Sequence, residues 1–222
     1  MRELRFHPHP TGWVNERVYA ITQRGMVSLF LVRTPQGALA IDTGQSASGI
    51  PAALQAAGIA AESVGQVFLT HSDSDHTGGL GAFPQARVYL GADEEPLIAH
   101  RRTRFLGLTH VPRLTVPYVT LTDRQEVRAG GLTVQVIATP GHTPGSLSYL
   151  VDGQFLFTGD TIALHDGVAQ PGPSLLNMDQ AALQQSLHKL AQLTGISLLC
   201  TAHTGCTTDW NRAIAPWRVV AR

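Results

Sequence analysis

Residues 71–79 read His71-Ser72-Asp73-Ser74-Asp75-His76-Thr77-Gly78-Gly79, a dense run of metal-capable side chains. Every second residue from His71, and then the next, offers a ligand atom, so donors crowd into a few positions. A catalytic divalent ion takes about three protein ligands and leaves a position open; a second ion about 3.5–4 Å away needs its own set and a shared bridge. The motif alone is therefore half of a site. The glycine pair after it is expected to let the backbone turn sharply into a helix. The short apolar run at 66–70 just before it places the motif at the end of a buried strand.

Three later segments follow the same grammar. Thr139-Pro140-Gly141-His142-Thr143-Pro144-Gly145 sets a histidine in a Gly/Pro turn after an apolar strand at 132–138. Phe155-Leu156-Phe157-Thr158-Gly159-Asp160 ends a strand with a carboxylate, and Leu198-Leu199-Cys200-Thr201-Ala202-His203-Thr204-Gly205 ends one with a histidine. Each donor follows an apolar strand and sits beside glycine. Strand ends that all deliver ligands to one rim are a more specific signal than any single piece.

The order HxDxDHxGG, TPGHTPGS, FTGD and AHTG, spread from about residue 38 to residue 205, resembles the metallo-β-lactamase superfamily. The resemblance implies a four-layer αβ/βα sandwich, with two mixed β-sheets and helices on their outer faces, in which residues 1–222 form a single domain. It implies His71, Asp73 and His142 on a first metal ion, Asp75, His76 and His203 on a second, and Asp160 as the bridge. Two divalent ions follow as cofactors, zinc first, with iron or manganese as alternatives. The implied activity is hydrolysis of an ester, thioester or lactone bond of a small molecule by a metal-bridging hydroxide, which Asp75 orients as the catalytic carboxylate.

The Pro-Gly-His-Thr-Pro-Gly turn is most similar to glyoxalase II and its hydrolase relatives. Their helical carboxyl-terminal domain, which supplies glutathione contacts, would begin about where this sequence ends, which argues against a specific glutathione-thioester hydrolase. Two other readings stay open: an iron-dependent redox enzyme similar to persulfide dioxygenases, and a non-catalytic metal-binding protein of the same fold. An oxygen or nitric oxide reductase like the diiron members would need a separate flavodoxin partner.

Asp73 departs from the pattern, because most relatives have histidine there; the carboxylate is similar to the Glu of the diiron members. It makes the site less positive, lowers the acidity of bound water and favours harder, oxygen-loving metals. Its side chain is also shorter than Glu or His, so its reach to the first ion is in question.

Sixteen Lys and Arg balance sixteen Asp and Glu, so no global field attracts nucleic acid or an anionic membrane. With 43% hydrophobic and only 14% charged residues, the chain is far from the signature of disorder. No apolar run approaches the roughly 18–20 residues of a membrane span. The first ten residues carry charges and His-Pro steps where a secretory signal needs an apolar core, and a cytoplasmic protein is expected.

The pattern predicts an antiparallel meander over 17–22, 26–33 and 38–42, then a helix over 46–58 capped by Ser46 or Ser48. Further strands are expected at 66–70, 87–90, 115–121, 132–138, 146–151, 154–158 and 197–202, with helices at 93–100 and 179–193. The segment 101–117 reads as an irregular excursion, either a pocket wall or lid or a solvated surface loop. Cys200 and Cys206 are read as reduced thiols, with a pocket role for Cys206 left open by its nearness to His203. His7, His9, His100, His110 and His188 show no ligand spacing, His165 is a candidate pocket residue, and Trp13, Trp210 and Trp217 are expected to pack.

Overall fold

In a computed structural model, residues 6–104 and 111–218 are described. Residues 105–110 of the expected excursion, His110 among them, lie outside the described residues. Sequence alternation decides the layers. In β3 (Val27–Thr34), Phe30 and Val32 face one way and Leu29 and Leu31 the other, and all four are buried. A strand buried on both faces needs cover on both faces.

The first sheet runs in the order β1 (Gly12–Trp13), β2 (Val18–Gln23), β3, β4 (Gly37–Ile41), β5 (Val64–Phe68), β6 (Arg87–Gly91) and β7 (Tyr118–Leu121). β1 to β4 pair antiparallel, as the meander predicts; β4 to β7 pair parallel. The second sheet is built from β8 (Glu126–Ala129), β9 (Leu132–Ala138), β10 (Leu147–Val151) and β11 (Phe155–Phe157). After a separate hairpin of β12 (Ala163–His165) and β13 (Val168–Gln170), the chain adds β14 (Leu198–Thr201) and β15 (Gly205–Thr207) beyond β11. β11 and β14 are parallel and the other pairs antiparallel, so both sheets are mixed.

Val18, Phe30, Ile41 and Phe68 of the first sheet meet Val136, Tyr149 and Phe157 of the second in a central apolar layer. On the outer face of the first sheet, Leu29, Leu31 and Val67 pack with Ile50 and Leu54 of α1 (Ile50–Ala56) and Leu97 of α3 (Glu95–Ile98). The short α2 (Ser74–Thr77) belongs to the rim. Behind the second sheet, Leu150, Leu156 and Leu199 pack with Leu183, Leu187 and Leu190 of α4 (Gln180–Leu190) and Trp210 and Ile214 of α5 (Trp210–Ile214). The layers are helix, sheet, sheet, helix, which is the expected sandwich. Among the described residues no helix is long and apolar enough to cross a membrane.

Several local expectations need correction. α1 is shorter than 46–58, and its N-cap is Gly49 in the left-handed region (φ 80°), not Ser46 or Ser48. Ser46 instead accepts the Ser48 backbone N–H, an i to i+2 bond that competes with capping. The helix expected at 93–100 opens as a 3-10 turn (Ala92–Glu94) before α3 and stops by His100, whose φ of 55° cannot continue a helix. The strands β1, β8, β12, β13 and β15, and the helices α2 and α5, lie outside the expected set. Of these, the β12–β13 hairpin carries a readable signal, an Asp166-Gly167 turn with both residues at positive φ.

The part of the excursion from Val111 onward does not float in solvent: Val111 is buried, and Leu114 and Val116 pack on the outer face of the first sheet. Gly78 and Gly79 do not serve as a sharp turn. Their φ values are −65° and −92°, which any residue adopts. They are small because a Cβ on Gly78 would run into the Gln45 carbonyl and one on Gly79 into the Thr43 carbonyl. Gly79→Ala is therefore expected to destabilise the fold by about 1–3 kcal/mol, the usual range for overpacking. A urea midpoint equal to that of the unsubstituted protein would show that the contact yields without cost.

Candidate metal centre

The strand directions bring the donors together. β4 and β5 are parallel, as are β11 and β14, and β9 runs with them because β10 is antiparallel to both β9 and β11. His71 follows β5, His142 follows β9, Asp160 follows β11 and His203 follows β14, so each sits past the carboxyl end of its strand, where α/β sheets place their ligands. Asp75 and His76 enter on α2.

All seven expected donors converge. His142 Nε2 lies 3.4 Å from Asp73 Oδ2, and His71 Nε2 lies 3.5 Å from the same oxygen. His203 Nε2 lies 3.5 Å from Asp75 Oδ2 and His76 Nε2 3.8 Å. Asp160 turns Oδ1 towards His76 (3.3 Å) and His203 (3.2 Å) and Oδ2 towards His142 (3.3 Å). A tetrahedron with metal bonds of about 2.0–2.1 Å has ligand-to-ligand edges of about 3.3–3.4 Å, so these separations suit a shared ion. The sets His71/Asp73/His142, His71/His76/Asp160 and Asp75/His76/His203 each place their ligand atoms within 4.8 Å of one another. His71 Nε2, His76 Nε2 and Asp160 Oδ1 are buried with no hydrogen-bond partner, the state of atoms reserved for a cation.

Each histidine is locked so that Nε2 faces inward. His76 Nδ1 donates to Asp42 Oδ2 (2.8 Å). His71 Nδ1 donates to Thr70 Oγ1 (3.0 Å), whose own hydroxyl donates to Asp42 Oδ2 (2.8 Å). His203 Nδ1 donates to the Met26 carbonyl (2.6 Å). His142 Nδ1 donates to Asn177 Oδ1 (3.1 Å), and the Asn177 amide is held in that orientation by its Nδ2 bonds to Gly172 O (2.9 Å) and Gln180 Oε1 (2.9 Å).

Electrostatics divide the centre. Burial pushes the His76 imidazole down, but the carboxylates of Asp42, Asp160 and Asp75 outweigh it and hold it well above the ordinary value. His203 is likewise raised, because Asp160 and Asp75 outweigh burial. His142 goes the other way: burial lowers it, and the charges of His71 and Arg104 add to that despite Asp160. Burial opposes ionisation of Asp160, yet His203, His76 and His142 hold its carboxyl far below the usual range. Asp73 is also pulled down against burial, by bonds to His142 and His71 and by their neighbour Arg104.

Sequence reasoning missed Asp42, Glu94, Asn177 and Arg104. Asp42 had a signal: Ile41-Asp42-Thr43-Gly44 ends a strand with a carboxylate beside glycine, as at Asp160. Glu94 accepts from Ser72 N (2.8 Å), from the Ser72 hydroxyl and from Gly145 N (3.0 Å), tying the motif to the His142 turn. Arg104 stood in the excursion, where a wall of the site was one option. The cavity over the centre, about 180 Å³, is lined by Asp73, Asp75, Arg104, His142, Asp160 and His203 together with apolar side chains. Phe6 joins that wall, and His7 N bonds His203 O (2.8 Å), so the N-terminal segment braces the site. His165 and both cysteines are outside the lining. Cys200 and Cys206 are free thiols paired across β14 and β15, with Cys200 buried in the central layer.

Comparisons with known proteins give the family of the chain. The model of the metallo-beta-lactamase superfamily matches residues 22–203. The chain belongs to the metallo-beta-lactamase superfamily. It is 32% identical over 179 residues to a hydroxyacylglutathione hydrolase of Albidiferax ferrireducens, a match covering 79% of this chain and 61% of that protein. It is 33% identical over 141 residues to the enzyme of the same name from Aeromonas hydrophila subsp. hydrophila, covering 62% of this chain and 46% of that protein. The chain thus spans about half to three fifths of the length of these relatives. Among solved structures, a Cronobacter sakazakii metallo-beta-lactamase with a HARLDQ motif aligns at TM-score 0.70 and 25% identity, covering 89% of this chain and 80% of that one. A metallo-beta-lactamase family protein from Thermus thermophilus aligns at TM-score 0.68 and 21% identity, over 92% of this chain and 79% of that one.

Asp42→Asn removes the charge that holds the Nδ1 side of His76 directly and that of His71 through the Thr70 hydroxyl. It is expected to weaken divalent-ion binding by about 10–100-fold, the usual scale for partners of metal-ligating histidines. Competition against a chelating dye measures this, and an unchanged affinity would show that Asp42 does not orient the ligands.

Proposed function

We propose that the chain is a metal-dependent hydrolase that cleaves an ester, thioester or lactone bond of a small molecule, working as a single domain with zinc as its ion. The observation that carries this reading is the set of four imidazoles, each fixed at Nδ1 and aimed by Nε2 at carboxylates on the floor of one cavity. Asp75, His76, His203 and Asp160 would hold a divalent ion, which would supply Lewis acidity and a nucleophilic water at neutral pH.

The protein's own groups do the rest. Asp75 lines the cavity beside His203 and His76, where its carboxylate holds and orients the attacking water and takes its proton. Arg104 is a permanent donor at the opposite side of the floor, where a carbonyl oxygen gains negative charge during attack. Phe6, Met26, Ile162 and Leu176 form an apolar wall that takes the acyl part of the substrate and excludes water. Among the described residues no serine or cysteine lines the cavity, which favours direct attack by water over a covalent acyl-enzyme. The relatives named for hydroxyacylglutathione hydrolysis support a thioester as the first substrate class to test.

A panel of thioesters, lactones and aryl esters tests the reading. Turnover of at least one class is expected, lost on chelation and restored by zinc. Asp75→Asn is expected to lower kcat by about 10²–10⁴-fold with little change in KM, the range for a positioned acid or base. Metal-loaded protein that hydrolyses none of the panel, or full activity after chelation, would overturn it.

A further inference from the structure

Arg104 is 1% exposed and reaches the floor of the cavity from the far side of the first donor set. Its Nη1 donates to the Asp73 carboxylate and to His142 Nε2 at 3.2 Å, and its Nη2 donates to the Leu176 carbonyl at 2.7 Å. Asp73 Oδ2 and His142 Nε2 are the atoms that would bind a first metal ion together with His71. Those two atoms already face a cation, and only Asp73 Oδ1 of that carboxylate is left buried without a hydrogen-bond partner. We infer that the Arg104 guanidinium takes the place of the first metal ion, so that the chain holds one divalent ion, on Asp75, His76, His203 and Asp160, in place of the two-ion centre expected from the motif. This rests on the proposal that the centre binds metal.

The chemistry of the pair supports it. Guanidinium with carboxylate is among the strongest hydrogen-bonded ion pairs, and a guanidinium does not leave by losing its proton. An ion bonded to Asp73 Oδ2 and His142 Nε2 would have that fixed charge as an immediate neighbour. Charge balance points the same way. Asp75 and Asp160 carry two negative charges, which one divalent ion neutralises, and Asp73 carries one, which Arg104 neutralises. A second ion would sit directly against the fixed charge of Arg104, which the Asp73 carboxylate already pairs. His71 fits the one-ion centre too, since its Nε2 has no hydrogen-bond partner and groups with the donor atoms of His76 and Asp160.

Metal content is the readout. Protein stripped with chelator and titrated calorimetrically with zinc chloride is expected to bind one ion per chain, and Arg104→Met two, because the first set is then open. Two ions in the unsubstituted protein, or one in both, overturns the inference while leaving the metal centre standing. No ion in either takes the metal-centre reading down with it. A zinc-grown crystal of the unsubstituted protein gives the answer without a variant. One anomalous peak among Asp75, His76, Asp160 and His203, with Arg104 still on Asp73, is expected; a second peak among His71, Asp73 and His142 overturns the inference.

Discussion

An imidazole offers its Nε2 lone pair to a cation only while Nδ1 keeps the proton, and the whole rim is arranged around that constraint. Asp42 is its root. The carboxylate is buried, which would be costly for a lone charge, but it accepts from Thr70 N (2.7 Å), the Thr70 hydroxyl and His76 Nδ1. Its backbone sits at φ 58°, a region Asp tolerates better than most side chains, and its N–H donates to Phe68 O (2.9 Å). One side chain thus joins the end of β4, the end of β5 and the helix bearing His76. Two of the four inward-facing imidazoles inherit their orientation from it.

The sandwich supplies the stiffness that this orientation needs. Apolar layers on both sides of each sheet leave the strand ends little room to move. The rim is then cross-linked between sheets: Glu94 bridges Ser72 to Gly145, and Leu147 N donates to Thr70 O at 2.8 Å. Close backbone contacts at Gly78 and Gly79 clamp α2 against the loop after β4. The donors belong to different strands, yet the loops carrying them cannot shift independently.

The layers and the seven donors were legible because both rest on local pattern: apolar alternation within strands, and a donor beside glycine at each strand end. What escaped the sequence depends on pairings across long separations. β8 reads Glu126-Val127-Arg128-Ala129, too polar and short to stand out, and becomes a strand because β9 offers it an edge. The role of Asn177 depends on contact with His142 and has no motif of its own. The glycine pair stands out in the motif for a reason other than the one that matters, since the need for a small residue comes from carbonyls far upstream, those of Thr43 and Gln45. Asp42 is the one omission that the same rule would have caught.

Asp73 shows how far a local reading can mislead at one position. Seen within its motif, the carboxylate is a substitute ligand that makes the first ion site less positive. In space it meets Arg104, 31 positions further along the chain, and its negative charge is already answered. A metal ion and a guanidinium differ in what they give the centre: the ion exchanges with solvent and accepts lone pairs from many directions, whereas the guanidinium is permanent and donates in a plane. Pairing one of each builds polarity into the floor of the cavity. In the proposed one-ion centre, the Asp75 side would activate water and the Arg104 side would meet negative charge. On that proposal a carbonyl placed between them would be attacked from one side and stabilised from the other, and the direction of the reaction across the cavity would follow from which carboxylate faces which cation.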